Sequence, residues 1–131
     1  MFEQEGYQLM GAAFEVYNQL GYGMAEEIYQ QSLKIELTLR GIPFCSKRKL
    51  LAFYKGHELE KQYEPDLFVM NALVVELKAV SELIADHEAQ LFNYMRICRQ
   101  PVGYLINFGA KGKLGWKRFI LSDLHPASPE D

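Results

Sequence analysis

The stretch Pro65–Lys78, reading Pro-Asp-Leu-Phe-Val-Met-Asn-Ala-Leu-Val-Val-Glu-Leu-Lys, constrains the fold more than any other part of the chain. Two apolar, strand-like runs, Leu67–Met70 and Leu73–Leu77, flank a short polar break at Asn71. Three charges, Asp66, Glu76 and Lys78, are set into those runs. A charge inside a buried strand is costly unless it is paired or coordinates a metal. Two carboxylates and an ammonium have an obvious joint use. The carboxylates hold a hard divalent cation such as Mg2+ through oxygen, leaving coordination places for water and a phosphate. The lysine orients or helps to deprotonate the attacking water, or offsets charge building on the phosphate.

Strand geometry decides whether the three can meet. Residues two apart share a face, so Glu76 and Lys78 point the same way. Asp66 depends on the connection. A two-residue turn at Asn71-Ala72 would set Asp66 opposite Leu77, facing away from Glu76. A three-residue loop, Met70–Ala72, would pair Asp66 with Glu76 and bring all three charges to one face, and a bulge or bend near Pro65 could do the same. An active site here predicts that the connection is not a simple two-residue turn.

At 131 residues the chain is long enough for one domain with a real core, expected over 1–125, followed by a short tail, Pro126–Asp131. Nearly half of the residues are hydrophobic. The net charge of -3 gives no global attraction to nucleic acid, so any such binding needs a local basic patch. Cys45 and Cys98 form no CxxC pattern and read as reduced thiols of a cytoplasmic protein. No apolar run approaches the roughly 18–20 residues that span a bilayer, so no membrane association is expected.

In chain order, Leu9, Ala13, Val16 and Leu20 recur at helical spacing from about Tyr7, and Gly21-Tyr22-Gly23 stops that helix. A second helix is predicted from about Met24 to Leu39, ended by Gly41 and Pro43. Glu26 and Glu27 suit the positive end of its dipole. Glu26 also shares a face with Tyr29, Leu33 and Leu37. Phe44–Tyr54 reads as a strand containing Lys47-Arg48-Lys49, a run that is a solvated face or a phosphate-binding patch. Lys55-Gly56-His57 is a turn and Glu58–Tyr63 a returning strand. After the Pro65–Lys78 stretch, Ser81 or Asp86 is placed to cap a helix from about His87 to Arg99, on which His87, Gln90 and Tyr94 share a face. These three either touch a substrate or are satisfied interior polar groups. Val102–Phe108 reads as a buried central strand and Leu114–Leu121 as a final strand. The order is that of an α/β sandwich with a mixed sheet flanked by helices.

Gly23-Met24-Ala25-Glu26-Glu27-Ile28-Tyr29 fits the pattern for which a bacterial and archaeal family, the GxxExxY proteins, is named. The resemblance runs from Ala12 to about Leu121. It takes in Asp66, Val75–Ala79, His87–Leu91, Tyr94 and Ile106–Gly109. Each motif is weak alone; five in order are strong. That family is placed in the PD-(D/E)XK nuclease-like superfamily, whose motif Pro65-Asp66 and Glu76-Leu77-Lys78 resemble.

The resemblance implies a restriction-endonuclease-like core with catalytic residues on two adjacent strands. It implies that Asp66 and Glu76 ligate Mg2+ or Mn2+, that Lys78 assists the water, and that Glu26 completes or supports the metal shell. Gln90 and Tyr94 resemble the Q-x-x-x-Y element of exonuclease-type members, which contacts nucleic acid or braces the site. Tyr29 and His87 join them as substrate-binding or site-supporting residues. One departure is Tyr17, where many members carry a histidine.

The implied activity is metal-dependent hydrolysis of a phosphodiester in DNA or RNA. Lys47, Arg48, Lys49, Lys111, Lys113, Lys117 and Arg118 offer local basic surface, and a homodimer could double it. The alternative is a catalytically silent nuclease-like fold that binds nucleic acid or protein. A hydrolase of a small phosphorylated molecule would use the same residues.

Overall fold

A computed structural model of the chain describes residues 1–124; the expected tail, Pro126–Asp131, lies outside the described residues. Helix α1 (Glu3–Leu20) and helix α2 (Glu26–Leu39) form an antiparallel pair on one face of a five-stranded sheet. Of the predicted α1 stripe Leu9, Ala13 and Val16 are buried and Leu20 is half-buried, with Met10 and Ala12 buried beside them; on α2 Tyr29, Leu33 and Leu37 are buried. Gly21, at φ 70°, ends α1 by donating its N–H to Tyr17 O at 2.7 Å. Gly41, also at φ 70°, turns the chain so that Ile42 N–H reaches back to Leu37 O at 2.9 Å, the six-to-one closure that glycine allows.

The sheet has β1 (Phe44–Ser46) at one edge, then β4 (Leu67–Val69), β5 (Leu73–Lys78), β6 (Val102–Asn107) and β7 (Gly115–Ile120). Only β5 and β6 run parallel; the other neighbours are antiparallel. A parallel pair requires a crossover. Helix α3 (Ala85–Cys98) supplies it, on the face opposite α1 and α2. Strand β6 is buried from end to end, as its unbroken apolar run predicts.

Alternation along the strands sorts side chains between the two layers. Leu67, Val69, Leu73, Val75 and Leu77 join the core under α1 and α2, while Phe68 and Val74 join the smaller core under α3. Glu76 and Lys78 share the parity of Val74 and therefore belong to the α3 side.

The strand predicted over Phe44–Tyr54 is not continuous. It stops at Ser46 because Lys47 takes φ 52°, which turns the chain out of the sheet, so Lys47-Arg48-Lys49 lies beyond the strand. The chain then forms a separate two-stranded ribbon, β2 (Phe53–Tyr54) with β3 (His57–Glu58), and an isolated bridge between Leu50 and Tyr63. The returning strand expected over Glu58–Tyr63 is reduced to those two fragments. Neither Ser81 nor Asp86 caps α3. Ile84 occupies the cap position, and His87 Nδ1 accepts its backbone N–H at 3.1 Å.

Candidate active site

The connection between β4 and β5 is the three-residue one. Val69 pairs with Leu73, which leaves Met70, Asn71 and Ala72 as the loop, with φ values of 53° and 51° at Met70 and Asn71. Asn accepts a left-handed backbone readily; Met does so at a cost. The ladder continues through Phe68–Val74 and Leu67–Val75, so the next rung brings Asp66 opposite Glu76.

At that rung side chains replace main chain as acceptors. Asp66 N–H donates to Glu76 Oε1 at 2.7 Å, and Leu77 N–H donates to Asp66 Oδ2 at 2.8 Å. Each carboxylate is thereby held by the backbone of the opposite strand. Asp66 Oδ1 accepts a third bond, from Gln30 Nε2 on α2, at 3.1 Å. Glu76 is 3% exposed, and its Oε2 accepts none of the described hydrogen bonds.

The electrostatics arise from this crowding. Burial, and then the Asp66 charge opposite, push the Glu76 carboxyl up to about 8, against the lowering pull of the Asp66 N–H and of Lys78. Burial also raises Asp66, against the pull of Leu77 N–H and of the Lys78 and Lys47 charges. Glu26, the first residue of α2, is raised by burial and by Asp66, while Lys78 and His87 lower it. Three carboxyl groups therefore feel one another across β4, β5 and the start of α2. Among the described residues, however, no three His, Cys, Asp or Glu side chains are grouped closely enough to hold a metal ion. The Asp66–Glu76 pair is the part of the set that the geometry brings face to face. Its donors are all oxygen, they oppose each other as like charges, and one Glu76 oxygen is uncommitted. Such a pair fits a hard divalent cation, whose charge would relieve the repulsion.

Lys78 lies two residues along the same face. Its Nζ donates to Gln90 Oε1 at 3.2 Å, and Gln90 Nε2 donates to the Tyr94 hydroxyl at 3.0 Å. Gln90 is exposed at the site mouth, whereas Tyr94 is buried and packs edge-on against Tyr63. Burial, and then the Glu76 charge, raise the Tyr94 phenol. His87 caps α3 and acts on Glu26 through charge. Tyr29 is fully buried: its hydroxyl donates to Gly21 O at 2.6 Å, accepts Met24 N–H at 3.2 Å, and its ring stacks on Phe108. It supports the α1–α2 turn from inside.

Gln30 carries weight that its position in the sequence does not announce, and Asn107, inside the Ile106–Gly109 motif, has a role that the motif alone does not specify. Asn107 Oδ1 accepts Val80 N–H and Gly109 N–H, both at 3.0 Å, and its Nδ2 donates to Val80 O at 2.9 Å. Phe108 N–H donates to Lys78 O at 2.8 Å. A Cβ at Gly109 would run into the backbone of Ala79 and Val80, so the glycine is required by close approach. Tyr17 secures the same loop from the other layer, its hydroxyl donating to Ala110 O at 2.6 Å. Together these contacts fix the exit of β5 immediately after Lys78.

Cys45 and Cys98 are both free thiols, and burial pushes Cys98 up to about 11. Among the described residues no helix is long and apolar enough to cross a membrane. No curated protein matches the chain. Among solved structures, that of SSO0001 superposes with a TM-score of 0.60 at 16% sequence identity, covering 91% of this chain and 60% of that one, a likeness of fold. The family model for the PD-(D/E)XK nuclease superfamily matches residues 3–119, nearly the full length and all of the site above, and the chain belongs to that superfamily.

Proposed function

We propose that the protein is a metal-dependent nuclease that hydrolyses phosphodiester bonds in DNA or RNA. The observation that carries this is the β4–β5 register, which sets Asp66 against Glu76 and puts Lys78 on the same face, beside a polar relay from α3. Members of the superfamily generally use divalent metals, and Mg2+ or Mn2+ is the cation this oxygen donor set suits. Such a cation, when bound, supplies neutralising charge at the scissile phosphate and acidifies water.

Asp66 and Glu76 would hold it, each fixed by the backbone of the opposite strand. Glu26, whose charge is felt by both carboxylates, completes or supports the metal shell from α2, where a cation would relieve the repulsion among the three. Lys78 Nζ, steered by Gln90 Oε1, orients the attacking water and offsets charge on the phosphate. Gln90 and His87, at the rim, are the residues available to touch substrate; Tyr94 and Tyr29 brace from within. The Gly23–Tyr29 motif supports a narrower place among the GxxExxY proteins. The chemistry is assigned to residues of the single chain, and its place is put in the cytoplasm.

The test is Mn2+-dependent cleavage of single- and double-stranded DNA and RNA by the wild type beside Lys78→Ala and Glu76→Ala. Loss of at least about a hundredfold in each variant is expected from removing a charge-stabilising group. Cleavage that survives both substitutions, or wild-type protein that binds Mn2+ and cuts nothing, overturns the reading.

A further inference from the structure

The segment that leaves the sheet at Lys47 and returns at Tyr63 has no part in the core beyond Leu50 and Tyr63. Its outer end is the β2–β3 ribbon, closed by Lys55 and Gly56 at φ 48° and 80°. Phe53 and Tyr54 are 60% and 63% exposed there, with Leu51 and Leu59 exposed beside them. Neighbouring strand residues point to opposite faces, so the ribbon offers one aromatic on each. Tyr54 pairs with His57 on one face and Phe53 with Glu58 on the other.

The charge around those rings is distinctive. Residues 47–64 hold five basic side chains (Lys47, Arg48, Lys49, Lys55 and Lys61) against three acidic ones, in a chain whose net charge is -3. Among the described residues none of the five lies within ion-pair distance of a carboxylate. Three stand over aromatic rings instead: Lys55 over Tyr54 at 5.6 Å, Lys61 over Tyr63 at 5.3 Å and Arg48 over Phe68 at 5.8 Å. The base of the segment reaches the site directly. Lys47 N–H donates to Asp66 O at 3.3 Å, and the Lys47 charge bears on the Asp66 carboxyl.

Exposed rings interleaved with cations that lack carboxylate partners are what a single-stranded nucleic acid requires, since unpaired bases stack on π-faces while phosphates take the charge. A duplex offers phosphates but keeps its bases stacked inside. We infer that the β2–β3 ribbon is a grip for single-stranded nucleic acid, with Tyr54 and Phe53 stacking on bases and Lys47, Lys49 and Lys55 meeting phosphates. The strand so held leads along Lys47 toward Asp66 and Glu76. This rests on the nuclease reading and names the form of its substrate.

The experiment is fluorescence anisotropy of labelled oligothymidylate, oligouridylate and a duplex of matched length, with the protein in EDTA so that cleavage plays no part. Wild type is expected to bind one or both single strands more tightly than the duplex. Phe53→Ala/Tyr54→Ala is expected to lose roughly tenfold per ring removed, as base–aromatic stacking implies. Tyr7→Ala, which removes an exposed ring on α1, should bind as wild type. Both rings of the ribbon are exposed, and circular dichroism of the double variant verifies that the fold is kept. Undiminished binding by the double variant, duplex binding as tight as single-strand binding, or no binding by wild type overturns the grip. Ring-dependent binding by a protein that cleaves nothing in Mn2+ overturns the nuclease reading alone. Cleavage with ring-independent binding overturns the grip alone.

Discussion

Among the described residues the cluster between the sheet and α1 and α2 holds twenty buried apolar residues, whereas the one on the α3 side holds seven, and that face also carries Asp66, Glu76 and Lys78. The first face makes the fold; the second carries charges that destabilise it. Strand β5 serves both at once, since Leu73, Val75 and Leu77 enter the large core while Glu76 and Lys78 alternate onto the other side. A site of crowded carboxylates is tolerable because the strand that bears it is anchored through its opposite face. The division of labour is open to attack from either side.

The largest effect is expected from Leu33→Ala, a fully buried position between α2 and the sheet. Truncation there should cost about 2–5 kcal/mol in urea unfolding. A cost under about 1 kcal/mol would mean that the α1–α2 face is not where the stability lies.

Next is the pH dependence of the metal-free protein. Glu76 titrates at about 8 in the folded chain against 4.5 when unfolded. Between those values the folded state holds a proton that the unfolded state has released, so stability falls as pH rises through this window. Asp66 and Glu26, also raised, act in the same direction. The loss is expected to be on the order of 1–4 kcal/mol between pH 5 and pH 8.5, and Glu76→Gln should remove most of it. A stability profile that is flat, or that rises with pH, contradicts the burial described for Glu76. Saturating Mn2+ should flatten the wild-type profile and leave an Asp66→Ala variant unaffected.

Gly109→Ala comes third. The added methyl meets the Ala79–Val80 backbone and should cost about 1–3 kcal/mol. Because the strain falls on the exit of β5, catalytic rate should drop by more than substrate affinity, which a comparison of kcat with KM reads directly. The smallest effect belongs to the outer rim of the α3 face, where Lys117 and Glu88 form an ion pair at 2.7 Å. Both are solvent-accessible, so a double-mutant cycle should give at most about 1 kcal/mol, shrinking further in high salt.

Much of this is legible in the residues. The α1 and α2 stripes, the buried run of β6 and the need for something other than a two-residue turn before β5 all come from periodicity and strand parity. So does the shared face of Glu76 and Lys78. The rest is set by contacts between distant positions. Gln30 reaches Asp66 across 36 residues, and Asn107 reaches Val80 across 27. No local pattern marks Gln30 as part of the site, and the Ile106–Gly109 motif that includes Asn107 does not say what its side chain holds. The departure of the chain at Lys47 is a backbone event, a left-handed residue with no side-chain cue, inside a run that reads as a strand. By its place on the α3 face His87 reads as a substrate contact, but its first occupation is the cap of its own helix.

The three-residue loop at Met70–Ala72 sits at the far end of the hairpin from the carboxylates, yet it decides which way they face. Its length acts as a parity bit. Deleting one residue from it would turn Asp66 away from Glu76, and the same slip would bring Phe68 toward α1 and α2 and push Leu67 and Val69 out of the large core. A misregistered hairpin is therefore penalised by lost packing before it has any chance to misplace the chemistry. Hydrophobic cohesion proofreads the alignment of groups that cannot stabilise that alignment themselves, and a chain that folds at all folds with its charges facing one another.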